Sequence, residues 1–505
     1  MRLLDSKTLE FKEFNESCLP RYAILSHTWG DDEVSYEDML WLQKLKDVPA
    51  ELRSNQLYSF IRGTGGGVGF PNTPEAITKR AGYAKIRHTA KLANSLHIQY
   101  FWIDTCCIKK ESSAELQEAI NSMYRWYQKS AICIVFLADA GPIPDDTKPV
   151  EYLDYALRDS RWITRGWTLQ ELIAPHLVSF YDRDWNLICD KRDNLRAISL
   201  VTGIPPKVLR DQDLSDSSVA QRMSWAANRS TTRIEDIAYS LMGLFDIHMP
   251  MLYGEGDKAF TRLQVKIMKA TGDDSIFAWK NPDAGASTFS GLLARSPRDF
   301  MYCTDIHRGK PLAMSNTNLG IRLELSMEPL PRNKECYVAL LQAKNNEKRH
   351  VGIILRRINS DNQKSFIANA QSLILGESRP WKINPDEQFT RVSAESLLLG
   401  GSSYPNNKVA VYVRQSPYIP QDFVIDTMHG FHLRIVQDHL GPQFLILQAW
   451  PHRQWNPQRT ELLISDYQTE FIGIIWLDVS ANAIRARIVG PGVRFCVIKI
   501  SVGQI

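Results

Sequence analysis

Residues Ala131-Ile-Cys-Ile-Val-Phe-Leu137 form an apolar run without polar alternation. A strand with one wet face alternates; a strand that does not alternate is buried on both faces, as in a parallel sheet covered by helices on either side. That run constrains the front of the chain to an α/β architecture, and its surroundings agree. Tyr22-Ala-Ile-Leu-Ser26 is a short apolar strand. His97 to Ile103 is a second, dense in aromatics, and Leu177 to Tyr181 a fourth after the 131–137 run. Helical periodicity lies between them: Ser35 to Leu45, Ile77 to Leu96, and Glu115 to Gln128, where Leu116, Ile120, Met123 and Tyr127 recur at helical spacing. Strand–helix alternation of this kind implies a mainly parallel sheet with flanking helices.

At 505 residues the chain exceeds one ordinary domain, and 44% apolar residues suffice for sizeable cores. The texture changes twice. Lys191 to Thr271 reads as helical: Ser218-Val-Ala-Gln221 and Thr232-Arg-Ile-Glu235 resemble capping boxes. Ile234, Ile237, Leu241 and Leu244 form a stripe, and a helix follows near Asp257 to Ala270. After about residue 275, short β-rich runs separated by Pro, Gly and Asn recur, which predicts a sandwich or barrel. The expected domains are 1–190, 191–274 and a β-rich 275–505. Gly63-Thr-Gly-Gly-Gly-Val-Gly69 lacks the Lys-Ser/Thr ending of a phosphate loop and reads as an insertion loop.

A net charge of +4 without a long basic run argues against nucleic acid as a partner. No apolar run is long enough to span a membrane, and Met1 to Phe14 has no signal-peptide core. Eight scattered Cys without a CxxC pair point away from zinc and toward a reducing compartment, so the expected location is cytoplasmic, with no metal and no resident cofactor.

The chemistry concentrates around Arg161-Trp-Ile-Thr-Arg-Gly-Trp-Thr-Leu-Gln-Glu-Leu172. It reads as a helix start, with Thr164 as cap and Gly166 as a tight entry. Trp167 and Glu171 stand four apart on one face. In an open α/β sheet, ligands bind beyond the carboxyl ends of the strands, where strand order reverses. In the flavodoxin-like order 2-1-3-4, Ser26, His27, Trp29 and Asp31 after the first strand would face Trp167 and Glu171 across one crevice. Asp104, after the second strand, would lie at the same edge.

Tyr22-Ala-Ile-Leu-Ser-His-Thr-Trp-Gly30, Phe101-Trp-Ile-Asp-Thr-Cys-Cys-Ile108 and Trp162 to Leu172 resemble, in order and spacing, the three blocks of the fungal heterokaryon-incompatibility (HET) domain. Ser218 to Trp279, with Met251-Leu-Tyr-Gly-Glu-Gly256, is similar to the stretch that follows that domain in such proteins. The resemblance implies a role in fungal non-self recognition, with the HET domain as trigger of cell death. It also implies a distant, TIR-like relationship. Some TIR domains cleave NAD at the nicotinamide–ribose bond with a Glu on the helix after the third strand, a role that would carry to Glu171. NAD is then the implied substrate, self-association on activation the implied mode, and a further protein the implied partner. The sequence departs from TIR in the long stretch between Trp29 and Phe101 and in Thr105-Cys106-Cys107.

Bond cleavage of this kind develops an oxocarbenium-like cation. An ionised Glu171 would stabilise it, Trp167 or Trp29 would stack on a ring, Ser26 and His27 would contact phosphate or ribose, and Asp31 or Asp104 would position water or a hydroxyl. The competing expectation is a non-enzymatic death-signalling module acting by self-association and partner binding. A cysteine hydrolase using Cys106 or Cys107 with His27 is disfavoured, because burial beside Phe101, Trp102 and Ile103 raises a thiol pKa.

Overall fold

A computed structural model describes residues 1–46, 73–280 and 289–357 apart from 319, 331 and 332, and from residue 388 onward the strands alone. The glycine-rich segment 63–69 lies outside the described residues. The chain divides into two compact units, residues 1–217 with 225–263, and residues 218–224 with 264–505.

The first unit is built on a seven-stranded sheet of β1 (Arg2–Asp5), β2 (Phe11–Glu13), β3 (Tyr22–His27), β4 (Tyr100–Trp102), β5 (Ile132–Phe136), β6 (Val178–Tyr181) and β7 (Leu187–Asp190). Their spatial order is β2-β1-β4-β3-β5-β6-β7. The four central strands pair in parallel, in the expected 2-1-3-4 order, so the reversal falls between β3 and β5. Every residue of β3 is buried, as are Cys133 to Phe136 of β5, as an unalternating strand requires.

Both edges are antiparallel, and the hairpin β1–β2 was not anticipated. Its three apolar residues, Leu3, Leu4 and Phe11, are too few for a period. What makes the hairpin is a turn in which the Asp5 carboxylate accepts from the N–H groups of Lys7 (2.9 Å) and Thr8 (3.1 Å), and pairing of Leu4 with distant Phe101.

The helices Tyr36–Lys46 and Ser113–Lys129 follow the periodicity, the latter capped by Ser112 on the Glu115 N–H at 3.3 Å. The single helix expected over Ile77 to Leu96 is two, Pro74–Lys79 and Ala81–Ser95, with extended Arg80 between them. Tertiary contact sets the break. Arg80 reaches Asp38 Oδ2 (2.7 Å) and the Glu33 carbonyl (3.2 Å). Gly82 lies so close to residues 32–34 that a Cβ would stand 2.7 Å from Glu33 Cα.

Beyond the sheet, short helices include Leu195–Thr202, Pro206–Asp211 and Asp236–Tyr239. Thr232 to Glu235 is no capping box. Thr232 Oγ1 accepts from Arg165, and Glu235 Oε1 accepts from the N–H groups of Gly254 (2.7 Å) and Gly256 (3.1 Å). Leu241 and Leu244 are buried, but Ile234 precedes the short helix and is 52% exposed, so the expected stripe is broken.

In the second unit Ser218 and Gln221 do form a capping box, each side chain bonding the other's N–H at 3.0 Å. Strands β8 (Phe289–Ser290), β9 (Ser315–Thr317), β10 (Gly320–Leu330), β11 (Asn333–Lys344), β12 (His350–Arg357), β13 (Gln388–Leu399) and β14 (Lys408–Val413) form a seven-stranded, mainly antiparallel sheet. Its path β11-β12-β13-β14-β10 closes on itself because β10 also pairs β11. Separate three- and five-stranded sheets follow. Gln388–Leu399 was not anticipated as a strand: polar residues interrupt its apolar pattern.

Candidate functional site

At the carboxyl end of β3, Ser26 is fully buried and its hydroxyl donates to Glu171 Oε2. The same Ser26 oxygen accepts the indole N–H of Trp162 at 2.7 Å. Glu171 sits on the helix Thr168–Ile173, all of whose residues are buried, and is itself 7% exposed. Burial disfavours its charge most, and nearby Asp104 adds to that. The hydrogen bonds of Ser26 and Tyr127 and the charge of Arg229 act the other way. The balance lifts the carboxyl from 4.5 to about 8, so it holds its proton at neutral pH.

The Glu171 helix is tied at both ends. Before it, Arg229 Nη1 donates to the Arg165 carbonyl (3.0 Å) and Thr168 Oγ1 (2.9 Å), and Ser230 exchanges backbone hydrogen bonds with Gly166 (2.9 Å) and Thr164 (2.7 Å). Gly166 permits the close approach there: a Cβ would come within 2.6 Å of Thr231 Cγ2, and that side chain would have to shift. After it, buried Lys191 donates to the carbonyls of Leu172 (3.1 Å) and Pro175 (2.6 Å). Burial brings that ammonium down to about 8.

Thr164 does not cap this helix. It ends the preceding turn, Arg161–Thr164, which Ser160 caps, while Trp167 occupies the cap position. The Trp167 indole lies beside the Asp236 carboxyl and favours its charged form; none of the hydrogen bonds that join Ser26, Trp162 and Glu171 involves it.

His27, next in β3, is buried between two charges. Lys85 Nζ lies 3.0 Å from its Nδ1, and Asp104 Oδ1 lies 3.1 Å from its Nε2. An ammonium only donates, so Nδ1 accepts and the proton of the neutral ring is on Nε2, donated to Asp104. Lys85 also donates to the Thr28 carbonyl (3.1 Å) and to Glu33, whose Oε1 takes the Gly30 N–H at 2.9 Å. The other Asp104 oxygen accepts the Trp29 indole N–H at 2.7 Å. Burial works against the Asp104 charge, but His27, Lys110 and Trp29 together hold its carboxyl below the usual range. Trp29 is 49% exposed, with Lys110 Nζ 3.6 Å from its ring centroid.

The structure thus gathers Ser26, His27, Trp29, Asp104 and Glu171 along one edge. Asp31 is exposed and takes no part in these hydrogen bonds. Lys85, Glu33, Trp162, Tyr127 and Arg229 were missed. Only Lys85 left a trace, as a cation on the buried 82-85-86-89-90-93 stripe of its helix. Cys106 is buried, and that burial, with Cys107 beside it, pushes its thiol well up, away from nucleophilic use. Among the described residues no group of three or more His, Cys, Asp or Glu is placed to hold a metal, and no helix is long and apolar enough to cross a membrane.

The fold defines a doubly wound α/β domain with a buried carboxyl at its strand-order reversal. Residues 22–151 match the family model described as "Heterokaryon incompatibility protein (HET)", so the chain carries a HET domain. Ser26, His27, Trp29, Asp31 and Asp104 fall inside that match; Trp167 and Glu171 follow it. Over 264 residues, 52% of its length, the chain is 45% identical to "Vegetative incompatibility protein HET-E-1" of Podospora anserina. It spans 17% of that protein's length. No solved structure matches the chain.

Proposed function

We propose that this protein acts in vegetative incompatibility as a cytoplasmic trigger of cell death, and that its HET domain is a TIR-like enzyme cleaving NAD between nicotinamide and ribose. Residues 1–190 would form that domain, 191–274 a helical region, and 275–505 a β-rich part that receives the signal from a protein partner. The observation that carries this reading is Glu171: a carboxyl at the strand-order reversal, bonded to Ser26 and raised to about 8.

A neutral acid is the resting form. The positively charged nicotinamide nitrogen, and the oxocarbenium character that follows as its bond to ribose breaks, favour the carboxylate. Substrate then favours loss of the Glu171 proton to water, and the carboxylate that remains stabilises the transition state. Ser26 keeps the carboxylate oriented, and Asp104, with His27 and Trp29, presents a second carboxylate to a ribose hydroxyl or water. Self-association on activation would complete the cleft.

The experiment is NAD consumption by the full-length protein at several concentrations, beside Glu171→Gln. Release of nicotinamide, reduced at least ~10²-fold in the variant, is expected. Turnover by neither protein, even when concentrated, moves the function to the non-enzymatic signalling module. The burial of Glu171 under Ser26, Trp162 and Tyr127 favours that second reading, since a neutral carboxyl can serve as core.

A further inference from the structure

Trp185 lies at the same edge of the sheet, in the turn joining β6 to β7. Its indole stacks on Phe136, with centroids 4.3 Å apart and planes 14° apart, and on His88, at 4.9 Å and 8°. Phe136 ends β5 and pairs in register with His27 on β3. His88 stands one helical turn beyond Lys85, whose ammonium holds His27. The aromatic stack therefore adjoins the His27–Asp104 cluster.

Two features make this more than packing. The Trp185 backbone has φ 66°, the left-handed region, where a bulky side chain is an outlier. The turn itself gives no reason for Trp. Buried Asp182 builds it, accepting from the N–H groups of Asp184 (2.9 Å) and Asn186 (2.8 Å) and from the Asn186 amide (3.1 Å), and Gly or Asn would suit the left-handed position. Strain of this kind persists where surrounding structure over-determines it, and it clusters at ligand sites. Here what opposes the strain is the stack. His88 is also suited to stacking: burial first, then Lys91 and Arg87, hold its ring below the ordinary value, so it is uncharged at neutral pH.

We propose that Phe136 and His88 form a stacking surface for a flat heteroaromatic ring of a nucleotide-type ligand, and that Trp185 covers this surface until the ring displaces it. The inference rests on the reading of the adjoining cleft as a nucleotide site and deepens it. Trp185 is the intramolecular competitor: its indole must swing out by side-chain rotation, while the Asp182 carboxylate keeps the turn in place. A cover of this kind keeps affinity low in the resting protein.

The test uses the full-length protein with Trp185→Gly, which removes the indole and accepts φ 66° without strain, Trp185→Asn, which tolerates the same backbone, and Trp185→Phe, which keeps a stacked ring. Binding of AMP and of nicotinamide is measured by calorimetry, with NAD turnover followed in parallel. Loss of a competing stack predicts about tenfold tighter binding of at least one ring by the Gly and Asn variants, and little change in the Phe variant. Unchanged or weaker binding of both rings by folded Gly or Asn variants overturns the proposal, as does binding by none of the proteins. Tighter ring binding without NAD turnover in any protein leaves the stacking surface standing and removes the NAD-cleavage reading. Turnover with unchanged ring affinity removes the stacking surface alone.

Discussion

Replacing Glu171 with Gln should stabilise the folded protein above neutral pH. In the native state this carboxyl gives up its proton at about 8 instead of 4.5. Between those values the folded chain holds a proton that the unfolded chain has lost, so the contribution to stability is fully present below about pH 4.5 and is lost as pH rises through about 8. Each pH unit in that window changes stability by ~1.4 kcal/mol. Over the window the ionised Glu171 costs the native state about 5 kcal/mol, of which about 3 kcal/mol has accumulated by pH 7. Glutamine copies the shape of the protonated acid, accepts from Ser26 through its amide oxygen, and does not ionise. Melting temperatures of wild type and Glu171→Gln, read from pH 4.5 to 9, should therefore diverge. The gap in favour of the variant opens with rising pH, by ~2–4 °C for each kcal/mol in a domain of this size. All other titrating groups are common to both proteins and cancel. A gap that stays constant across this range would refute the reasoning, because it would mean that Glu171 is already ionised in the folded state.

The remaining predictions concern neighbours of that carboxyl and the packing that places them. Ser26→Ala removes a donor to Glu171 and strands the buried Trp162 N–H. The expected loss is about 1–3 kcal/mol in denaturant titrations, larger at pH 9 than at pH 6 because the lost hydrogen bond favoured the ionised form. Gly82→Ala should destabilise by about 1–3 kcal/mol although helix propensity alone favours Ala by ~1 kcal/mol, because the new Cβ would meet backbone atoms at 2.7 Å; thermal melts of the pair decide which effect wins. Alkylation of the native protein should modify exposed Cys18 and spare Cys106, which becomes reactive only on denaturation. Peptide mass analysis that finds Cys106 labelled at the rate of Cys18 would contradict its burial.

The amino-acid sequence by itself determined the parallel sheet. The 131–137 run cannot sit in a half-wet strand, and Tyr22-Ala-Ile-Leu-Ser26 and the 97–103 segment carry the same message; the order 2-1-3-4 was an assumption, and the tertiary structure decided it. Legible too was that Ser26, His27, Asp104 and Glu171 belong to the carboxyl edge, because each follows a strand or stands on the helix after one. Tertiary structure alone decided their chemical state. Hydrophobic period tells which face of a helix is buried, and is silent on what a buried polar group meets. Lys85 could be seen on an apolar stripe, but its contact with His27 Nδ1, and hence the proton on Nε2, depends on a helix crossing a strand end 58 residues away in sequence. Trp167, read as a wall of the cleft, lies beside Asp236 of a later segment. Glu171 holds its proton because Ser26, Trp162, Tyr127 and the 225–232 segment close over it. Desolvation is a property of everything that surrounds a group in space, and no local stretch of sequence encodes it.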